Sequence, residues 1–276
     1  MQNLTADAPA TEGPIAIGVD VGGSGIKVGA VEVSTGNLVG SRAKVKTPQP
    51  SRPQAIVDEI VRLVERIGAE VDELARVGVG VPSVVLDGVT KTAANIDPEW
   101  LDFPVEKVLR EALGRPVVVV NDADAAGLAE MRFGAGRGVR GTVIVLTLGT
   151  GTGSALFFDG RLVTNTELGH MELRGQDAER RSAASARIRR SLSWKAWAAD
   201  LDEHLEAIDK ILWPGLFILG GGVSRNADQF IPLLDVRPRV VPAALRNDAG
   251  IVGAALFAAE QQLEPGQPRT RTGPTT

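Results

Sequence analysis

Two α/β lobes facing each other across a cleft are the architecture this sequence predicts, and three features carry the expectation. A short apolar strand over residues 15–20 runs into a glycine-rich hairpin, Val21-Gly22-Gly23-Ser24-Gly25, and straight on into a second strand at Ile26. The same design recurs where the strand from Thr142 leads into Leu148-Gly149-Thr150-Gly151-Thr152-Gly153 and a further strand from Ser154. Between them the β-branched run from Val117 to Val120 stops at Asn121-Asp122, where a helical pattern opens. A strand, hairpin and strand that restart along the chain read as an internal duplication, with each copy burying its own core.

Taken in order, the first lobe reads as strands over 15–20, 26–33 and 38–46, each rich in apolar and β-branched residues. A helix over 53–67 follows, with Ile56, Ile60, Leu63 and Ile67 recurring at helical spacing. A strand over 76–81 leads through Pro82-Ser83 to a loop carrying Asn95, and a strand over 116–121 with a helix over 122–133 completes this lobe. From Thr142 the pattern restarts with the second glycine hairpin. Helices around 177–190 and over 194–212, a strand over 216–219 and a closing helix over 250–262 follow. The expected boundaries are a flexible leader over 1–14, lobes over 15–140 and 141–262, and a disordered tail over 263–276, which is rich in Pro, Gly, Thr and Arg.

Composition excludes several classes. The 276 residues carry 30 Lys plus Arg against 34 Asp plus Glu, a net charge of -4, so no chain-wide basic excess points to nucleic acid. Cysteine is absent, which removes disulfides, thiolate nucleophiles and thiolate-ligated zinc together and fits a reducing compartment. The longest apolar runs fall far short of a membrane span. The polar, Ala- and Thr-rich leader lacks the charged start and apolar centre of a signal peptide, so the expected location is the cytoplasm.

The chemistry begins at Asp122. A carboxylate where a strand ends and a helix starts is held at the rim of a sheet, where a base that takes a proton from a bound alcohol would stand. An ordinary helix cap is the competing explanation, and the neighbouring motifs weigh against it. Glycines at 22, 23 and 25, and at 149 and 151, let backbone N–H groups approach an anion, while the hydroxyls of Ser24, Thr150 and Thr152 add donors for phosphate oxygens. Plain hairpins would also use glycine. Two such copies, each after a buried strand, favour phosphate cradles. Neither is a dinucleotide fingerprint, since strand rather than helix follows, and no G-x-x-x-x-G-K-[ST] occurs.

Asp20-Val-Gly-Gly-Ser-Gly25 and Leu148-Gly-Thr-Gly-Thr-Gly153 resemble the two phosphate motifs of the sugar-kinase and actin-like ATPase superfamily. Leu219-Gly220-Gly221-Gly222-Val223-Ser224 resembles its adenosine-side glycine motif. Asn121-Asp122-Ala-Asp-Ala-Ala and Glu167-Leu-Gly-His170 are similar to the sugar-binding signatures of the ROK kinases. Within that family, Thr47-Pro-Gln-Pro50, Thr92-Ala-Ala-Asn95-Ile-Asp97, Asn165-Thr-Glu167-Leu-Gly-His170 and Val241-Pro-Ala-Ala-Leu-Arg-Asn247 look like the actinobacterial polyphosphate glucokinases and polyphosphate/ATP glucomannokinases. The resemblance runs from about Ile15 to about Ala259. It implies an α/β, two-lobed, duplicated ribonuclease-H-like fold and phosphoryl transfer to the 6-hydroxyl of glucose, with mannose as a second acceptor. It also implies a homodimer, with no nucleic acid and no membrane partner.

On that resemblance Asp122 accepts the proton of the sugar's primary hydroxyl, and Asn121 hydrogen-bonds ring hydroxyls through an amide that both donates and accepts. Asn95, Glu167, His170 and Glu179 complete the sugar set, with Glu172 a weaker candidate. Asp124, in the first helical turn, reads as a cap or dipole partner, with sugar contact as the alternative. His204, in Asp202-Glu203-His204-Leu205-Glu206, reads as an ordinary satisfied histidine. Many ROK kinases bind zinc through the histidine equivalent to His170 and a cysteine cluster; without cysteines, His170 should serve sugar alone.

Phosphate falls to Gly22, Gly23, Ser24, Gly25, Lys27, Gly149, Thr150, Gly151 and Thr152, and the nucleotide to Gly220, Gly221 and Gly222. Mg²⁺ should bridge phosphate oxygens, held by Asp20 through water. The residues alone leave polyphosphate and ATP open as donors; the resemblance favours polyphosphate with ATP as a second donor. A polyphosphate would need a cationic track, with candidates at Lys27, at Arg132, Arg137 and Arg140, and in the run Arg174, Arg180, Arg181, Arg187, Arg189, Arg190 and Lys195, which could equally be a solvated helix face. A transcriptional repressor of the same family would need a DNA-binding helix-turn-helix before residue 15, and a non-catalytic sugar sensor would have no use for Asp122.

Overall fold

In the computed structural model, residues 13–71, 75–94 and 96–261 are described. The expectations for the leader up to residue 12, for Asn95 and for the tail from residue 262 lie outside them. The first sheet is built from β1 (Ile15–Gly22), β2 (Gly25–Glu32) and β3 (Leu38–Val45), then, after helix α1 (Pro53–Gly68), β4 (Arg76–Val81). A small hairpin, β5 (Val85–Leu86) and β6 (Val89–Thr90), and helix α2 (Val105–Leu113) precede β7 (Val117–Asn121) and helix α3 (Asp122–Phe133). The strand order is β3-β2-β1-β4-β7, with β1, β4 and β7 parallel.

The second half repeats this order. Strands β8 (Thr142–Leu148), β9 (Thr152–Phe158) and β10 (Arg161–Val163) come first. A two-strand ribbon, β11 (Glu172–Leu173) and β12 (Gln176–Asp177), then leads to short helices α4 (Glu179–Ser182) and α5 (Ala184–Arg189) and the long α6 (Trp194–Leu212). Strand β13 (Leu216–Gly220), helix α7 (Ala227–Phe230), β14 (Arg239–Pro242) and α8 (Ala249–Glu260) close the chain. The order β10-β9-β8-β13-β14 matches that of the first sheet position for position.

The helical segment expected around 177–190 is present as two short helices, α4 and α5, and the β11–β12 ribbon precedes it. Arg174 and Gly175 both adopt positive φ, reversing the chain into β12, and Ala183 is extended at φ -63 and ψ 152, which ends α4. An uninterrupted helix over this span has no room for the extended Ala183.

Each lobe's outer layer is amphipathic. In α1, Ile56, Ile60, Leu63, Val64 and Ile67 are buried against the first sheet, each contributing about 1.5–3 kcal/mol by leaving water. In α6, Trp197, Leu201, Leu205 and Ile208 do the same for the second, and Ser193 caps the helix by accepting from the Ala196 amide at 3.2 Å. The inner layer is α3 and α8. α8 sits so close to β1 and β4 that a Cβ at Gly18 or Gly78 would collide with the carbonyls of Ile251 and Ala254. One at Gly253 would collide with the carbonyl of Ala125 in α3. α3 in turn packs Gly127 onto Ala155 and Phe157 of β9. Both sheets therefore rest on one helix pair, and α3 begins at Asp122.

Candidate functional site

β7 carries a buried valine run out to its carboxyl end, and α3 starts at the next residue because Asn121 caps it. The Asn121 Oδ1 accepts from the amides of Ala123 at 2.9 Å and Asp124 at 3.1 Å, and Nδ2 donates to the Ser83 carbonyl at 3.2 Å. Its acceptor is thus committed to the cap, and one amide hydrogen is left for the cavity it lines. Asp122 follows, half-buried, with Oδ1 accepting from the Ala123 amide at 2.8 Å. Burial, reinforced by the nearby Asp20 carboxylate, raises the Asp122 pKa to about 7, against the opposing pull of that amide.

A cavity of ≈ 490 Å³ opens in front of Asp122. Gly23 and Ser24 of the first hairpin, Gly149 to Gly153 of the second, and Glu167, His170 and Glu179 share its wall with Asn121, Pro82, Thr92, Ala94 and Thr147. A smaller cavity of ≈ 190 Å³ lies against it and shares Asp122, Thr147 and Gly221. Its other walls include Asp20, Lys27, Gly220, Gly222, Arg246 and Asn247. Asp122 stands where the two meet.

The turn bearing Glu167 and His170 is fastened to the second hairpin. Ser154 Oγ donates to the Thr166 carbonyl at 2.6 Å and accepts from the Leu168 amide at 2.9 Å. Gly169 has no room for a Cβ against the Thr152 backbone. Glu179 accepts the Thr152 amide at 2.8 Å, which joins the start of α4 to the second hairpin. Burial raises the Glu167 pKa, opposed by His170 and assisted by Glu179. The His170 ring places Nδ1 3.2 Å from Asp177 and Nε2 3.8 Å from Glu167. With Asp177 accepting Nδ1–H, Nε2 is left as an acceptor. His170, Asp177 and Glu179 bring ligand-type atoms within 4.8 Å of one another.

His204 is 0% exposed, and burial lowers its pKa. Its Nε2–H donates to the Leu168 carbonyl at 2.9 Å, so Nδ1 accepts from Ser182 Oγ, also at 2.9 Å. One neutral imidazole therefore ties the Glu167–His170 turn to the end of the helix that begins with Glu179. His204 is thus the satisfied histidine its sequence context suggests; its two partners lie 36 and 22 residues away, and no local pattern reveals them.

Asp124 does not cap α3. It is 0% exposed, its Oδ2 accepts the Asn165 amide at 2.8 Å, and its Oδ1 has no partner. Burial dominates in raising its pKa to about 7. Asn165 clasps Val85 with both ends of its amide at 2.9 Å, linking the two halves beside the turn that bears Glu167 and His170.

Lys27 pairs with Asp20 at 2.6 Å and lines the smaller cavity rather than the larger. Gly22 accepts from Thr47 Oγ1 at 2.5 Å, which braces the first hairpin, and Gly25 lies in β2 at its far side. The Thr152 hydroxyl is buried without a partner. Gly221 needs glycine twice: φ is +82, and a Cβ would collide with the Leu148 backbone. Glu172 is exposed and lines neither cavity. Arg132 and Arg140 line a separate cavity that shares no residue with these two, and Arg174 is paired with Glu203 at 2.6 Å.

Asp20 has the setting a cation needs. Its carboxylate fills the space left by the missing Cβ of Gly250 and faces the cavity shared with Asp122. The two carboxylates repel each other strongly enough to contribute to the raised Asp122 pKa, and a divalent ion would relieve that field.

The profile of the ROK family matches residues 16–187. The polyphosphate glucokinase of Mycobacterium tuberculosis is 47% identical over 254 residues, covering 91% of this chain and 94% of that protein. The crystal structure of the inorganic polyphosphate/ATP-glucomannokinase of Arthrobacter sp. strain KM superposes with a TM-score of 0.86 at 48% identity, covering 89% of this chain and 98% of that one. A ROK family glucokinase from Streptomyces griseus, solved with glucose and AMPPNP, superposes with a TM-score of 0.79 at 27% identity, covering 90% of this chain and 100% of that one.

Proposed function

This chain belongs to the ROK family, and on that premise we propose that it is a polyphosphate-dependent glucokinase that also uses ATP. The observation that carries the reading is the position of Asp122. It borders a cavity whose wall combines both glycine hairpins with Glu167, His170 and Glu179. Phosphate and polyol chemistry thus meet at one carboxylate whose pKa of about 7 suits a general base near neutrality.

In this reading glucose sits with its 6-hydroxyl at Asp122. Glu167 and Glu179 accept from ring hydroxyls, His170 Nε2 accepts one more, and Asn121 donates its remaining amide hydrogen. Asn95 joins this set on the strength of the resemblance. Asp122 takes the hydroxyl proton as the oxygen attacks the terminal phosphorus, a new O–P bond forms, and the bridging P–O bond breaks. The leaving group is a polyphosphate one unit shorter, or ADP. Backbone amides around Gly22, Gly23, Ser24 and Gly25, and around Gly149, Thr150, Gly151 and Thr152, hold the phosphates in line, so positioning and charge stabilisation supply most of the rate. Lys27 adds positive charge behind them, and Gly220, Gly221 and Gly222 border the space left for adenosine.

Mg²⁺ held by Asp20 through water would neutralise charge on the phosphates. Mannose as a second acceptor, a homodimeric state and a cytoplasmic location accompany this reading; among the described residues no helix is long and apolar enough to cross a membrane. The test is Asp122→Asn, which keeps the shape and removes the base. Glucose should still bind by calorimetry while formation of glucose 6-phosphate falls by about 10²–10⁴-fold. More than a few per cent of the original rate in this variant would remove Asp122 from the mechanism.

A further inference from the structure

Beside the reaction cavity lies a larger groove of ≈ 910 Å³, and the two share Ala94, Thr150, His170 and Glu179. Its remaining walls are Gln176, Asp177, Ser185 and four arginines, Arg180, Arg181, Arg189 and Arg190. The fold gathers these arginines by ending α4 at Ala183 and turning back through α5. Arg189 then donates to the Arg180 carbonyl at 2.8 Å. Ser185 is tied to the second hairpin through its amide, on the Gly149 carbonyl at 3.0 Å, and its hydroxyl, on the Thr150 carbonyl at 2.5 Å. The arginine-bearing segment is thus anchored to the loop proposed to hold phosphate.

The four guanidinium groups are not equivalent. Asp200, 7% exposed, pairs with both Arg181 and Arg190, and Glu203 lies 3.6 Å from Arg181. Those two arginines brace α4 and the end of α5 against α6. Arg187, nearby in sequence, stacks on Trp194 at 3.6 Å and does not line the groove. Arg180 and Arg189 are exposed and make no ion pair among the described residues. The carboxylates on the wall, Asp177 and Glu179, are engaged by His170 and by the Thr152 amide. What faces the groove is therefore an excess of guanidinium donors leading away from the phosphate hairpin.

We infer that this groove binds the phosphate chain of inorganic polyphosphate beyond the unit being transferred, with Arg180 and Arg189 as its donors. The inference rests on the polyphosphate glucokinase reading and adds the path of the donor. A chain with about one negative charge per phosphate gains successive charge-assisted hydrogen bonds along such a wall. Tripolyphosphate and ATP, held at the hairpins, are too short to use it fully. Affinity should then rise with chain length.

The experiment compares long-chain polyphosphate, tripolyphosphate and ATP as donors for the full chain and for Arg180→Gln/Arg189→Gln. The KM for long-chain polyphosphate should rise about tenfold or more, while that for the two short donors moves less than about twofold. Raising ionic strength should imitate the variant for the long donor alone. Equal losses with all three donors, or none with any, would overturn the groove. If the unmodified chain uses ATP and no polyphosphate, the donor reading itself has failed, and direct binding of fluorescent long-chain polyphosphate decides the groove. Binding that the double variant loses upholds it, and absence of binding overturns it.

Discussion

Two carboxylates, half-buried Asp122 and buried Asp124, have pKa values raised to about 7, and only Asp122 borders the reaction cavity. If Asp122 is the base, kcat/KM for glucose must fall as the pH drops through 7, because the base has to be ionised. With a pKa of about 7, roughly nine-tenths is ionised at pH 8 and about one-eleventh at pH 6, so the acid limb should approach a tenfold loss per pH unit. Saturating Mg²⁺ should move the limb to lower pH, since a cation favours the carboxylate.

Asp124→Asn separates the two groups. The amide oxygen can still accept from Asn165, so the limb should remain in place. Stability should change instead. A carboxyl whose folded pKa lies above its unfolded 3.8 supports the fold best below about pH 4, and that contribution is lost as pH rises through about 7. Removing the ionisable group should therefore stabilise the protein above pH 7, by up to a few kcal/mol as an order of magnitude. Initial rates from pH 5 to 9 and urea unfolding across the same range measure both. Loss of the acid limb in Asp124→Asn, or a flat profile in the unmodified enzyme, would refute the assignment.

His204→Ala leaves the Leu168 carbonyl buried without its donor and opens a cavity. It should destabilise the fold by about 3–5 kcal/mol and raise KM for glucose while leaving KM for the donor unchanged. His204→Gln, which can restore the donor to Leu168, should recover much of the glucose affinity; no recovery would reduce the residue to core packing. Gly253→Ala drives a methyl into the Ala125 carbonyl of α3 and should lower stability by about 1–3 kcal/mol or more in thermal unfolding, with activity falling as the start of α3 shifts. Turnover should stop on removal of Mg²⁺ and return on its addition. Extensively dialysed protein should contain no stoichiometric zinc by elemental analysis, because the chain has no cysteine to supply the thiolates of a structural zinc site.

Local punctuation explains which elements were legible in the sequence. β7 and α3 meet at Asn121 and Asp122, where a capping residue follows an unbroken valine run, and the boundary is visible to the residue. α6 was equally clear because Ser193 caps it and its apolar spacing persists to Leu212. α2, β10 and β14 were missed: α2 spans only 9 residues, and the two strands have 3 and 4. Such lengths hold too few periods to separate from a loop. Helix over 177–190 was legible, but its division into α4 and α5 was not, since the break lies in the extended backbone of Ala183, which residue type only partly encodes.

The cavity's lining divides the same way. Asp122, Glu167, His170, Glu179 and both hairpins carry their chemistry in short motifs, and the structure brings them around one cavity. Pro82, Thr92 and Thr147 enter the wall, and His204 the support behind it, through contacts formed only when distant segments fold together.

The most direct measurement is formation of glucose 6-phosphate from glucose, Mg²⁺ and long-chain polyphosphate with all nucleotide removed, run beside ATP as the alternative donor. A polyphosphate-dependent glucokinase produces glucose 6-phosphate in the nucleotide-free reaction at a rate at least comparable with ATP, and the product vanishes in Asp122→Asn. Product with ATP alone would contradict the polyphosphate assignment, and no product with either donor would contradict the kinase itself.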